Sequence, residues 1–261
     1  MSAPLAGTRV LVTRAREQAG DMAARLVALG ATVIEAPAIR FIDPPDWSAL
    51  DRALDRLTSY DWIVFTSQNA VPRFLDRLRG RGVDEGGLAS SRHAAIGEAT
   101  AEAMRAHGLR VDVVADEYRA ESVAEALAQE PLHGKRVLIP RAWVAREVLP
   151  QRLRAAGADV DVTPVYKTVP DAEGGAVARQ ALAQGVDVVT FTSASTVHGF
   201  FTAITDARER LRDVTIASIG PITSEALRKE GFTPAIEASP YTVPALVEAL
   251  ARHRAARAED R

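Results

Sequence analysis

Two stretches of the chain put hydroxyl and amide side chains where an apolar run stops: "FTSQNA" at 65–70 and "FTSAST" at 191–196. Helical spacing follows at once in both, so Ser67 and Ser193 stand at strand-to-helix turns. A serine in that place raises the question of a nucleophile. Neither lies in G-x-S-x-G, and no histidine or carboxylate recurs at a fixed spacing to complete a triad. Two readings stay open. Each serine is either a helix N-cap or part of a turn whose amides hold an anion at the positive end of a helix.

Residues of the same kind mark the other strand ends. They are Thr13 and Arg14, then Thr66, Ser67, Gln68 and Asn69, then Gly97 and Thr100 of "IGEAT". Later come Arg141, then Thr192, Ser193, Ala194 and Ser195, then Gly220 and Thr223 of "IGPIT". Ligands of open α/β sheets collect beyond the carboxyl ends of strands, beside helix N-termini. A polyanion rich in carboxylate or phosphate, gripped from two sides, fits this set. Gly97 and Gly220 permit tight turns, while Thr100 and Thr223 either cap a helix or touch ligand. Tyr166, in the proline-flanked "PVYKT", offers a phenol either to a ligand or to domain packing. Arg146, read as lying in the first turn of the helix after "PRAWVA", opposes the helix dipole there, which favours a ligand or acidic partner over a merely solvated side chain.

These positions need elements to hold them, and the chain supplies the elements twice. "GTRVLVTRA" at 7–15 returns as "GKRVLIPRA" at 134–142, and Pro37 is answered by Pro164. "AAIGEATAEAM" at 94–104 matches "ASIGPITSEAL" at 217–227, and Tyr118 matches Tyr241, each opening a helix. Order and spacing persist through all of these. "RVLVT" and "RVLIP" are continuous apolar runs, as strands buried on both faces require. The spacing predicts helices near 68–79, 98–107, 194–204 and 221–230 between further strands. Strand–helix alternation predicts two α/β/α units, each with a parallel sheet of five strands. The extended segments at 36–46 and 163–171 fall at equivalent places; whether the halves exchange pieces there stays open.

Composition narrows the function classes. Hydrophobic residues make up 47% and charged residues 25%, enough apolar surface for real cores. A net charge of −2 carries no basic field for nucleic acid. No apolar run is long enough to span a bilayer, and the first residues carry no export signal. With no cysteine there is no thiolate and no disulfide, and the five histidines, read as surface or filler, lack metal-ligand spacing. The expectation is a cytoplasmic monomer without metal or organic cofactor. No glycine-rich loop follows the first strand, which argues against a nucleotide-dependent transferase.

Taken in order, "VLVTRA", "VFTSQNAV", "AIGEATAEAM", "LIPRA" with Arg146, "PVYKT", "TFTSASTVHGF" and "SIGPITSEAL" resemble the uroporphyrinogen-III synthase family, from about residue 8 to 250. The resemblance implies two similar domains joined by two extended linkers, with βαβ units exchanged between the halves. Mapped here, the domains are 1–37 plus 168–261, and 42–162, with linkers at about 38–41 and 163–167. It also implies closure of hydroxymethylbilane, a linear tetrapyrrole with many carboxylates, to uroporphyrinogen III. Water is lost and ring D is inverted, while the open chain closes unaided to the uninverted isomer. Tyr166 matches a family tyrosine and is expected to assist departure of the hydroxyl; a transient contact with hydroxymethylbilane synthase belongs to the same expectation. Family members often carry a hydroxyl residue where this chain has Ile222, which leaves Thr223 or the amides to make that contact. The competing reading is a non-catalytic two-domain module that binds or senses a polycarboxylate.

Overall fold

The structure, a computed structural model, describes residues 3–115 and 132–259; Tyr118 and its expected helix lie outside them. The chain divides into two compact units, residues 1–41 with 169–261, and residues 42–168.

The first unit is built on five parallel strands: β1 (Arg9–Val12), β2 (Thr32–Glu35), β9 (Val188–Phe191), β10 (Thr215–Ser218) and β11 (Ile236–Glu237). Their order is β11-β10-β9-β1-β2. Both faces of β1 are apolar, and the pleat sends them to opposite layers. Val10 and Val12 join Met22, Leu26 and Leu246 on one side, with helices α1 (Arg16–Ala28) and α10 (Val243–Glu259). Leu11 joins Val189, Phe191, Phe200 and Leu227 on the other, with α6 (Ala172–Ala183), α7 (Ala194–Ala203) and α9 (Pro221–Lys229). Helix α8 (Ala207–Arg210) is a single turn between α7 and β10. Continuous hydrophobicity in the strand therefore yields three layers.

The other sheet holds β4 (Trp62–Phe65), β5 (Arg92–Ile96), β6 (Val113–Ala115), β7 (Arg136–Ala142) and β8 (Asp159–Pro170), with β3 (Ile39–Ile42), whose first three residues belong to the first unit, at its edge. Their order is β3-β8-β7-β4-β5-β6, six strands where five are expected. The extra one is the extended segment after Pro37. Its backbone groups need partners, and β8 supplies them by running on for twelve residues. The described helices here are α2 (Ser48–Leu54), α3 (Ala70–Gly80), α4 (Glu98–Ala106) and α5 (Val148–Ala155).

Matched by the sequence repeat, the two sheets have one order: β2-β1-β9-β10-β11 in one, β8-β7-β4-β5-β6 in the other. The first βαβ unit of each half thus lies beside strands of the other half. One device recurs at each junction. Asp187 Oδ2 accepts the Arg9 amide at 2.8 Å, and Asp61 Oδ2 accepts the Arg136 amide at 2.9 Å. Each carboxylate pins the start of the third strand of its sheet to the start of the first. Behind the F-T-S turns, Phe65–Phe74 and Phe191–Phe200 make the same edge-to-face contact, with centroids 5.5 and 5.3 Å apart.

Candidate functional site

A sheet ordered 2-1-3-4-5 reverses direction between its first and third strands, and ligands bind beyond the carboxyl ends there. In the first unit that point lies between β1 and β9, so Thr13 and Arg14 gather with Thr192 to Ser195. In the second it lies between β7 and β4, bringing Arg141 to Thr66, Ser67, Gln68 and Asn69. Gly220 and Thr223, and Gly97 and Thr100, follow the neighbouring strands β10 and β5.

The two F-T-S turns fold differently. Ser193 is an extended N-cap whose Oγ accepts the Thr196 amide at 3.1 Å, while Thr196 Oγ1 accepts the Ser193 amide at 3.2 Å. This closed capping box starts α7 at Ala194. At the equivalent of Thr196 the second unit has Ala70, which has no hydroxyl to close a box. Ser67 is consequently no N-cap; Asn69 occupies that place, without a side-chain cap bond, and α3 starts at Ala70. Ser67 Oγ instead accepts the Asn69 amide at 3.2 Å and the Tyr166 hydroxyl at 3.2 Å. Thr66, Gln68 and Asn69 are half-buried, as are Thr192 and Ala194, and Ser195 is exposed.

Tyr166 lies within β8, where a bulge skips Val165 so that Ala142 pairs with Tyr166. The ring is buried, and the Arg73 guanidinium carbon stands 5.5 Å from its centroid. Its carbonyl accepts the Trp143 amide at 2.7 Å. Trp143 and Val144 are 42% and 80% exposed beside it, an apolar pair in an otherwise polar loop. Sequence reasoning passed over both, and Arg73 as well. Their visible signals were large apolar residues just past a strand and a cation in the first turn of a helix.

Other expectations need correction. Thr13 is fully buried, and its hydroxyl donates to the Thr190 carbonyl at 2.7 Å, tying β1 to β9. Thr100 and Thr223 are also buried and cap nothing, because Gly97 and Gly220 hold the N-cap positions. Those glycine amides are already engaged, Gly97 with the Ala115 carbonyl and Gly220 with Ser218 Oγ. Gly97 has φ +79, which favours glycine; Gly220 is extended, and its lack of a side chain admits the Tyr241 ring. Arg146 is exposed and precedes the helix, since Glu147 is the N-cap. Its carbonyl accepts Arg141 Nη1 at 2.9 Å, holding the chain out of helical geometry there.

The paired arginines Arg14 and Arg141 each bury an Nε that has no hydrogen-bond partner. Arg141 sets Nη1 on the Arg146 carbonyl and Nη2 on Glu147. At Arg14 burial lowers the pKa from the ordinary guanidinium value against the pull of Asp21. A bound carboxylate would relieve that cost. His93, expected as surface or filler, is buried at the opposite end of its strand, with Nδ1 at 2.9 Å from the Arg110 carbonyl. Among the described residues no group of three or more His, Cys, Asp or Glu could hold a metal ion, and no helix is long and apolar enough to cross a membrane.

The family model described as "Uroporphyrinogen-III synthase HemD" matches residues 20–248. The uroporphyrinogen-III synthase of Synechococcus elongatus is 34% identical over 95% of this chain and 96% of its own length. The porphyrin biosynthesis protein HemD of Ruminiclostridium josui is 33% identical over 88% of this chain, which spans 45% of that longer protein. A crystal structure of a mutant uroporphyrinogen III synthase from Thermus thermophilus has the same fold, with a TM-score of 0.66 at 23% identity, covering 96% of this chain and all of that one.

Proposed function

The chain belongs to the uroporphyrinogen-III synthase family, and on that premise we propose that it closes hydroxymethylbilane to uroporphyrinogen III with inversion of ring D and loss of water. The observation that carries the reading is the Tyr166 phenol, donating to Ser67 beside a strand-end turn of hydroxyl and amide groups. It is a proton donor that needs only a new acceptor. The substrate's hydroxyl takes the place of Ser67 Oγ, the C–O bond breaks with the electron pair leaving on oxygen, and the Tyr166 proton completes water. The pyrrole nitrogen's lone pair makes up the deficit, giving an azafulvenium cation that keeps its N–H. Attack by the substituted carbon of ring D, fragmentation and reclosure follow, and the proton lost on rearomatisation replaces the one Tyr166 gave.

The rest of the task is restraint. Unaided closure gives the uninverted isomer, so the reacting ends must be held while inversion occurs. In the first unit Arg14 and the turn at 192–195 offer places for an acetate or propionate group; in the second the turn at 66–69 does so, with Arg141 and Glu147 shaping the loop that carries Trp143. Arg146, Gly97, Thr100, Gly220 and Thr223 line or support the same strand ends. The protein acts as a cytoplasmic monomer, without cofactor, through domains bounded as drawn from the sequence and in transient contact with hydroxymethylbilane synthase.

The test supplies fresh hydroxymethylbilane to the purified chain and separates the oxidised isomers. The inverted isomer is expected, faster than spontaneous closure. Only the uninverted isomer, at the spontaneous rate, would sink the proposal; tight binding of the substrate without turnover would point to a binding module instead.

A further inference from the structure

Four contacts in the second unit close on themselves. Arg73 Nη1 donates to the Asn69 carbonyl at 3.1 Å, and the Asn69 amide donates to Ser67 Oγ at 3.2 Å. Ser67 Oγ accepts the Tyr166 hydroxyl at 3.2 Å, and the Tyr166 ring lies under the Arg73 guanidinium at 5.5 Å. Arg73 joins the two ends of this circuit, the turn and the phenol. Its place in the first turn of α3 works against the helix dipole, so the helix gains nothing from a cation there. The later arginines of α3 are paired elsewhere, Arg77 with Asp51 and Arg79 with Glu85.

The first unit shows the same junction without the chemistry. By the repeat, Gly199 answers Arg73 and Ile39 answers Tyr166. They meet there too: a methyl on Gly199 would stand 2.5 Å from Ile39 Cγ2 and 2.4 Å from the Ala38 carbonyl oxygen. One unit therefore packs this helix directly against the strand. The other interposes a guanidinium on an aromatic face.

We propose that Arg73 is a positioning residue for Tyr166, resting on the reaction proposed above. The guanidinium fixes the phenol's plane by a cation–π contact and the turn by its bond to Asn69. Ser67 Oγ is the phenol's acceptor until the substrate's hydroxyl takes its place. Arg73 thus holds the phenol at a set separation from the leaving oxygen, without itself touching the reacting atoms.

The test measures formation of the inverted isomer by the full chain, Arg73→Met, Arg73→Lys, Tyr166→Phe and the double variant Arg73→Met/Tyr166→Phe. Arg73→Met should lower kcat roughly tenfold while KM moves little, and Arg73→Lys should restore most of the loss. In the Tyr166→Phe background the same change should cost less than about twofold, because the phenol it positions is gone. A rise in KM at unchanged kcat, or equal losses in both backgrounds, overturns the proposal. A parent chain that forms no inverted isomer overturns the functional reading and this inference together, whereas an active parent with indifferent Arg73 variants overturns this inference alone. Near-ultraviolet circular dichroism adds a readout free of turnover. The Tyr166 signal, taken as the difference from Tyr166→Phe, should shrink in Arg73→Met at unchanged far-ultraviolet signal, and an undiminished signal overturns the positioning role.

Discussion

The two F-T-S turns share strand, following helix and the aromatic pair behind them, yet one is closed and the other is open. Around Ser193 the bonded hydroxyls serve local ends: Thr196 completes the capping box, and Thr190 and Thr13 bridge β1 and β9. Around Ser67 the corresponding residues are Ala70, Val64 and Pro140, none with a hydroxyl. Its hydroxyl is released from capping and meets Tyr166. On two similar frames these few side chains make the difference, and in the reaction proposed above the open turn is the one that carries chemistry. Asymmetry of this kind suits a reaction with one leaving group.

The largest effect that would break the comparison is on Tyr166. Tyr166→Phe should lower kcat for the inverted isomer by about a hundredfold with little change in product affinity. Unchanged turnover would remove the phenol from the mechanism and leave the two turns functionally alike. Next comes the closed junction. Gly199→Ala should destabilise the first unit by about 1–3 kcal/mol in urea unfolding, since backbone and Ile39 already occupy the methyl's place. A neutral substitution would mean the packed junction is loose and the contrast with Arg73 overstated.

The caps sharpen the contrast further. Ser193→Ala should cost about 1 kcal/mol of stability and only a modest factor in rate, whereas Ser67→Ala should cost rate more than stability. Reversal of that order, read from unfolding curves and steady-state kinetics, would interchange the roles assigned to the turns. The smallest effect concerns a device both units share. Lys135 foremost, and then the Arg136 amide, hold the Asp61 carboxyl below its ordinary range. A folded pKa so depressed adds stability above the unfolded carboxyl's value, near pH 4, and that stability is lost as pH falls through the lowered folded value. Asp61→Asn should therefore cost up to about 1 kcal/mol at neutral pH, and the deficit should fade as the solution is acidified. A deficit independent of pH would assign the effect to packing.

Much of this frame was legible because it repeats local rules. Short, largely apolar runs marked β1, β4 and β9, and helical spacing put α3, α4, α7 and α9 within two residues of their observed starts. The strand-end residues came out as a set because turns demand small and polar side chains. Of the two readings open for Ser67, the cap fails because Ala70 stands where Thr196 closes the box of Ser193. Burial of Thr13, Thr100 and Thr223 was not legible, because a hydroxyl at a strand end looks the same in sequence whether it faces solvent or the interior.

By itself the sequence determined the class of fold, the doubled arrangement of its motifs and the family resemblance, all of which rest on composition and spacing along the chain. Only tertiary structure decided which strands pair. The runs "VLVT" and "VLIP" are interchangeable as parallel strands, and nothing local distinguishes a partner nearby from one more than a hundred residues away. That choice sets β7 beside β4 and β8 beyond β7, and with them Tyr166 above Ser67 and beneath Arg73. A cation at one position and a phenol far along the chain carry no mark of each other in sequence, because their relation exists only once the sheet has formed.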